Sequence, residues 1–187
     1  MNIILFGPPG AGKGTQAKQL EKKLNNFQVS TGDMLRDEIK KDSDIGKKII
    51  NYMKEGKFVD DNIVNNLIKK TIFEPNKKNK LIFDGYPRTL DQARNLDIWL
   101  SETGQKIDYI FFLNVNKNTI VQRIEKRKII EKRSDDDQYT ILKRYDTYME
   151  TTKPVLNYYS NKSNFNEIDG GLKISEITNK INSILKV

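Results

Sequence analysis

The sequence predicts an α/β fold, a five-stranded parallel sheet flanked by helices. Three observations lead there. Apolar runs of strand length alternate along the chain with segments of helical periodicity. Two of these runs, 3–6 and 109–113, are apolar throughout, as a strand covered on both faces should be. The first run breaks into the turn Gly7-Pro8-Pro9-Gly10-Ala11-Gly12, which leads into a helix beginning near Lys13. Strand, G-x-x-x-x-G-K and helix, in that order, are the context of a P-loop. Its glycines let backbone N–H groups converge on phosphate oxygens, and the helix start adds a partial positive charge. Lys13 adds a mobile point charge for the outer phosphates. The loop predicts nucleotide phosphate binding at the carboxyl edge of the sheet, without deciding what happens to the phosphate.

The remaining elements follow in order. The first helix carries Ala17, Leu20 and Leu24 at spacings of three and four. Residues 27–30 read as the second strand, and Thr31-Gly32-Asp33 as a turn into a helix over 33–41. A short helix over 45–54 presents Ile49, Ile50 and Met53, and Asp60-Asp61-Asn62 starts another through Ile63, Leu67 and Ile68. The stretch 30–59 is too long for a simple crossover and reads as a small inserted flap. Run 81–84 is the third strand. Its terminal Asp84 has the position of a carboxylate that reaches a magnesium ion or its waters, although a strand-end aspartate can equally serve a turn. Gly85 to Arg88 form a loop, and Thr89 caps a helix bearing Ala93, Leu96, Trp99 and Leu100, with Trp99 assigned to the core. The fourth strand, 109–113, is followed by Asn116 and a helix over 117–128. The polar segment 128–137, with Asp135-Asp136-Asp137, reads as an exposed, mobile loop. A long amphipathic helix over 139–159 is expected to kink at Pro154. A last strand over 165–169, the turn Gly170-Gly171 and a helix over 174–185 close the chain.

Composition narrows the chemistry. The chain has 187 residues, one medium domain, and contains neither cysteine nor histidine. Disulfides, zinc sites, thiol nucleophiles and histidine-based catalysis are excluded, leaving Lys, Arg, Asp, Glu, hydroxyls, backbone and bound metal. The first apolar run is too short for a signal peptide and no stretch approaches a membrane span, so a cytoplasmic protein is expected. The net charge of +8 raises nucleic-acid binding, but most of it is lysine scattered over the whole length. The seven arginines against 26 lysines are more telling. Four of them, Arg123, Arg127, Arg133 and Arg144, fall within 22 positions and form a candidate anion clamp.

These residues resemble the adenylate kinase family over essentially the entire chain. Gly7 to Ala17 are similar to that family's P-loop, and Ser30 to Arg36 to its monophosphate-side segment. Asp84-Gly85-Tyr86-Pro87-Arg88-Thr89, with Gln92 following, resembles its signature loop. Arg123, Arg127, Arg133 and Arg144, with Asp135-Asp136, fit its lid and hinge spacing. The resemblance implies a single nucleotide kinase domain over 1–187. Its core would comprise 1–29, 60–125 and 137–187, with an NMP-binding flap at 30–59 and a short lid at 126–136. It implies ATP binding by Gly10, Ala11, Gly12, Lys13, Gly14, Thr15, Arg127 and, through its backbone, Leu172. It implies AMP binding by Thr31, Arg36, Lys57, Phe58, Val59, Gly85, Tyr86, Pro87, Arg88, Gln92, Arg133 and Arg144. Lys13, Arg88, Arg123, Arg127, Arg133 and Arg144 would form the catalytic set. Two departures stand out. The lid is about ten residues long and has no cysteine for a zinc site. Lys13 is followed by Gly14 rather than Ser or Thr, so Mg²⁺ is expected on phosphates and water, with Asp84 reaching it through water.

The expected reaction is ATP + AMP ⇌ 2 ADP. The AMP phosphate is already an anion at neutral pH, so no general base is required. The partners are ATP and AMP or ADP, with no nucleic acid and no membrane, and a monomer is expected. Two alternatives remain at this point: a monophosphate kinase using UMP or CMP, and a P-loop module that binds nucleotide without transferring phosphate.

Overall fold

A computed structural model describes residues 1–55, 57–131 and 138–187. Among these residues the chain forms one parallel sheet of five strands in the order β2-β3-β1-β4-β5. The strands are β1 (Ile3–Phe6), β2 (Phe27–Ser30), β3 (Leu81–Asp84), β4 (Tyr109–Asn114) and β5 (Phe165–Asp169). The helices are α1 (Lys13–Leu24), α2 (Thr31–Lys40), α3 (Asp44–Lys54), α4 (Asp61–Ile72), α5 (Leu90–Glu102), α6 (Lys117–Glu131), α7 (Gln138–Thr147), α8 (Lys153–Ser160) and α9 (Ile174–Leu185). None of the described helices is long and apolar enough to cross a membrane.

Alternation along each strand divides the core into two layers. Ile4 and Phe6 of β1, Leu81 and Phe83 of β3 and Ile110 of β4 face one layer with Ile68, Leu96, Leu100 and Val155. Ile3 and Leu5, Ile82, and Phe111 and Leu113 face the other with Ala17, Leu20, Ile120, Ile124 and Ile181. Side chains two apart along a strand share a face, which is why these runs are apolar without interruption. Fully burying one such side chain stabilises the fold by about 1.5–3 kcal/mol. The sheet is therefore a firm base for whatever stands on its rim. Register sets that rim: Leu5 pairs with Asp84, and Asp84 with Ser30. The chain runs from β1 to β2 and β3 on one side, then to β4 and β5 on the other, so the sheet's switch point lies at the carboxyl end of β1.

Local chemistry starts and stops the elements. Ser30, Ser43, Asp60 and Thr89 each accept a hydrogen bond from a backbone N–H in the first turn of α2, α3, α4 and α5. Helix α2 therefore begins at Thr31, two residues before its expected start, because Ser30 rather than the glycine turn supplies the cap. Helix α6 continues to Glu131, beyond its expected end at 128. The long helix expected over 139–159 is interrupted by a π-helical turn at Tyr148–Thr152, directly before Pro154 in the first turn of α8. Pro154 has no N–H and its ring crowds the carbonyl four residues earlier, and a wider turn accommodates both.

Helices α2 and α3 lock together as a hairpin at Gly46. A Cβ there would stand 2.2 Å from the Glu38 carbonyl oxygen. Ser43 reinforces the pair, its hydroxyl bonding the Glu38 carbonyl at 3.1 Å and its carboxylate at 2.7 Å. In an ordinary helix interior, Gly→Ala gains up to about 1 kcal/mol. Here the methyl group meets backbone, which cannot turn aside. Gly46→Ala should instead lose about 1–3 kcal/mol, read as a lower urea midpoint at unchanged slope. A gain in stability would contradict the close packing.

Candidate functional site

The site is built where β1, β2 and β3 end. Between β1 and α1 the chain turns at 7–12, with the Ala11 N–H donating to the Pro8 carbonyl at 3.1 Å. Gly12, at the cap position of α1, has φ 97°, a left-handed conformation that costs a residue with a Cβ. No side chain caps α1 among the described residues, unlike α2 to α5. The first N–H groups of α1 are thus the natural seat of an anion. Lys13 folds back over this loop, its Nζ donating to the carbonyls of Gly7 at 2.7 Å and Pro8 at 3.0 Å.

Charge is concentrated here. Burial of the Lys13 ammonium lowers its pKa from 10.5 to about 8, with Asp84 opposing the shift and Arg88 and Arg127 adding to it. Asp84 lies at the end of β3, its Oδ2 accepting from Gln28 Nε2 at 2.9 Å. Burial raises its pKa, and Asp33 pushes the same way, against Lys13, Gln28 and Arg88. The same oxygen lies 3.3 Å from where a Cβ of Gly14 would stand. Gly14 therefore lets a carboxylate approach the start of α1 closely.

Arg88 follows the cis Tyr86–Pro87 bond. Its Nε donates to the Gly85 carbonyl at 2.7 Å, and its guanidinium lies 5.0 Å from the centre of the Phe58 ring. Thr31, buried at the start of α2, donates to the same Gly85 carbonyl at 2.9 Å. Burial brings the Arg88 pKa down to about 10, with Arg144 and Arg36 contributing and Asp84 opposing. Arg36 pairs with Asp33 at 2.5 Å. Cations from α1, α2, the loop after β3, α6 and α7 thus act on Lys13 and Arg88 near the carboxyl end of β3, with Asp84 and Asp33 as counter-charges. Such an arrangement can hold several phosphate groups and stabilise charge moving between them.

The other expected residues separate into groups. Val59 is buried, Lys57 is exposed and paired with Glu55 at 2.6 Å, and Tyr86 is buried with its hydroxyl on Asn65 at 2.8 Å. Gln92 is only 2 % exposed. Its Oε1 accepts from the Arg88 N–H at 2.7 Å and its Nε2 donates to Asp61 at 2.6 Å. Arg123 is turned to backbone, donating to the carbonyls of Ala11 at 3.3 Å, Gly171 at 3.4 Å and Leu172 at 3.3 Å. It ties the loop 7–12 to the turn before α9. Arg133 and Asp135 to Asp137 lie outside the described residues, as does the part of the segment 126–136 from 132 onward. The Thr140 hydroxyl of α7 donates to the Lys54 carbonyl at the end of α3 at 3.3 Å.

Sequence reasoning missed Gln28 and Asp61. Gln28 had no signal beyond being one of two polar positions in a four-residue strand. Asp61 looked like part of a helix-starting cluster, Asp60-Asp61-Asn62, and Asp60 does supply the cap.

The family model for adenylate kinase matches residues 5–164. The chain belongs to the adenylate kinase family. It is similar to the adenylate kinase of Pelagibacter ubique, 47 % identical over the full length of both chains in an alignment of 213 positions. It is 40 % identical to that of Mycoplasma mycoides subsp. mycoides, again over the full length of both. With the adenylate kinase of Caulobacter sp. the identity is 41 % over 187 positions, covering 100 % of this chain and 99 % of that one. Adenylate kinases generally work with ATP and Mg²⁺, and the P-loop, Asp84 and the converging cations occupy the rim where such a family member would need them.

Proposed function

We propose that this chain transfers the γ-phosphoryl group of Mg-ATP to AMP, reversibly, giving two ADP. The observation that carries the reading is that Arg88 and Arg127 act on Lys13, and Arg36 and Arg144 on Arg88, beside a helix start with no side-chain cap. A switch or sensor needs one phosphate seat. Two seats, one at the P-loop and one around Arg88, suit a donor and an acceptor that meet end to end.

On this reading, residues 10–15 and the α1 N-terminus hold the ATP phosphates. Thr31, Arg36, residues 57–59, Gly85 to Arg88 and Gln92 form the AMP side. Arg127, Arg133 and Arg144 close over the phosphates between them, and Arg123 fixes the loop 7–12 and the Leu172 backbone as a frame for ATP. Residues 30–59 act as the flap and 126–136 as the lid, on a core of 1–29, 60–125 and 137–187. The enzyme acts as a cytoplasmic monomer.

The attacking AMP oxygen is an anion and needs no proton acceptor. The barrier is the approach of like charges and the build-up of charge on the transferring group, and guanidinium groups lower it, each by about 10³ or more in rate where the contact is made in the transition state. The donor set also fits magnesium. No cluster of three or more Asp, Glu, His or Cys side chains occurs among the described residues. A single carboxylate, Asp84, is held in place by Gln28 at the phosphate end of the sheet. That suits an ion that keeps water and takes its other oxygens from substrate phosphates, with Asp84 reaching it through water. When bound, the ion neutralises charge on the β- and γ-oxygens. The chain has no cysteine or histidine with which to hold zinc.

³¹P NMR with Mg-ATP and each of AMP, UMP, CMP and GMP tests the assignment. ADP should appear from both substrates with AMP, and slow ATP hydrolysis alone would overturn it. The state of Lys13 gives a second test. Its pKa is about 8 in the free enzyme, and triphosphate oxygens raise it in the complex. Below about pH 8 the lysine is charged in both states and ATP affinity is at its full value. Above it, affinity falls by up to about tenfold per pH unit until the complex also loses the proton. Calorimetry in two buffers of different ionisation enthalpy should show ATP binding taking up close to one proton at pH 9 and almost none at pH 6.5. Equal proton counts at the two pH values would refute the enclosed ammonium.

A further inference from the structure

Asp61, the first residue of α4, carries none of the roles assigned above, yet both of its carboxylate oxygens are engaged with the AMP-side loop. Oδ1 accepts from Gln92 Nε2 at 2.6 Å and Oδ2 accepts from the Thr89 hydroxyl at 2.8 Å. Thr89 in turn caps α5 by accepting from the Gln92 N–H at 3.2 Å. On its other side the Gln92 carboxamide oxygen faces the Arg88 N–H at 2.7 Å. A carboxylate can only accept and a backbone N–H can only donate. The two neighbours therefore allow one orientation of the amide. Turned by 180°, it would set oxygen against carboxylate and N–H against N–H.

Orientation decides which base the amide fits. One N–H and one oxygen lone pair of Gln92 remain beyond these bonds. Adenine offers an acceptor at N1 and a donor at N6, whereas hypoxanthine and guanine offer a donor at N1 and an acceptor at O6. An amide held one way round pairs with the first pattern, and the reversed amide pairs with the second. We infer that Asp61 is a positioning residue, one that locks the Gln92 carboxamide in the orientation selecting an adenine acceptor. The inference rests on the proposed role of Gln92 in reading the acceptor base. Asp61 also joins the end of the segment 30–59 to the start of α5, so the lock sits where the flap meets the core.

Steady-state kinetics of Asp61→Ala, Asp61→Asn, Gln92→Ala and the Asp61→Ala/Gln92→Ala double variant test it, with AMP and IMP as acceptors. Asp61→Ala should raise KM for AMP about tenfold while KM for ATP stays within about twofold. It should also raise the IMP:AMP ratio of kcat/KM about tenfold. Asp61→Asn can turn either its carbonyl or its N–H toward Gln92, so it should loosen the lock and raise the IMP:AMP ratio of kcat/KM by less than Asp61→Ala does. In the Gln92→Ala background, removing the Asp61 carboxylate should add less than about twofold, because its route of action is gone. A purely structural Asp61 would lower Tm and shift both substrates alike, or add in full to Gln92→Ala, and either result overturns the proposal. If Gln92→Ala leaves KM for AMP unchanged, the role of Gln92 falls and this inference with it. If Gln92→Ala raises KM and Asp61→Ala does not, the Asp61 assignment alone falls. Should Asp61→Ala not fold, NMR of the Gln92 side-chain amide in the parent protein decides. The Asp61 bond predicts one proton protected from solvent exchange, and rapid exchange of both overturns the lock.

Discussion

Mutual repulsion among cations is the constraint that the rest of this structure answers. Arg88 and Arg127 lie close enough to Lys13, and Arg144 and Arg36 close enough to Arg88, to lower the affinity of Lys13 and Arg88 for their protons. Left to themselves, such side chains would turn out to water. Short contacts hold the central ones in: the Gly7 and Pro8 carbonyls hold Lys13, and the Gly85 carbonyl and the Phe58 ring hold Arg88. Asp84 and Asp33 offset part of the repulsion. The cost is borne by two apolar layers packed on either face of the sheet, where each fully buried side chain contributes a few kcal/mol at most but many act together. The reward is a field that is already oriented when phosphates enter, so little rearrangement is needed as charge moves between them.

Strand alternation explains why so much of the fold was legible in the sequence. A parallel strand buried on both faces has to be apolar at every position, and Ile3, Ile4, Leu5 and Phe6 cannot be read otherwise. Helix starts were legible where a single side chain makes the cap, as at Thr89. Boundaries failed where two signals competed: Thr31-Gly32-Asp33 looks like a turn, but the Ser30 hydroxyl reaches the Asp33 N–H and the helix starts earlier. Pro154 announced a disturbance in the long helix, but nothing in its neighbours told whether the chain would bend or widen. A π-helical turn resolves the missing N–H within the helix.

The site was legible where chemistry is carried by local order, and illegible where it is carried by pairs distant in sequence. The P-loop motif and the loop after Asp84 are contiguous, so their residues identify one another. Gln28 and Asp84 are 56 positions apart, and only the pairing of β2 with β3 brings them together. Asp61 and Gln92 are 31 apart and meet because α4 and α5 start side by side. Arg123 is the converse case. Scarcity of arginine pointed to an anion clamp, whereas the hydrogen bonds of Arg123 run to three backbone carbonyls, two of them from a turn almost 50 residues later.

Placing the cations on different elements has a consequence for the order of events. Arg88 stands on the core, Arg36 on α2 and Arg144 on α7, and both Arg36 and Arg144 repel Arg88. Contacts that draw the elements together include the 3.3 Å bond from Thr140 to the Lys54 carbonyl and the attraction between Lys143 and Glu55. Anions between the arginines reverse the sign of the repulsion. On the proposed reading, two phosphorylated ligands are therefore the strongest available reason for the flap and lid segments to close, and one ligand alone leaves part of the repulsion in place. Water, being uncharged, cannot substitute for the missing nucleotide in that balance. Selection against hydrolysis then follows from electrostatics, without any group dedicated to rejecting water.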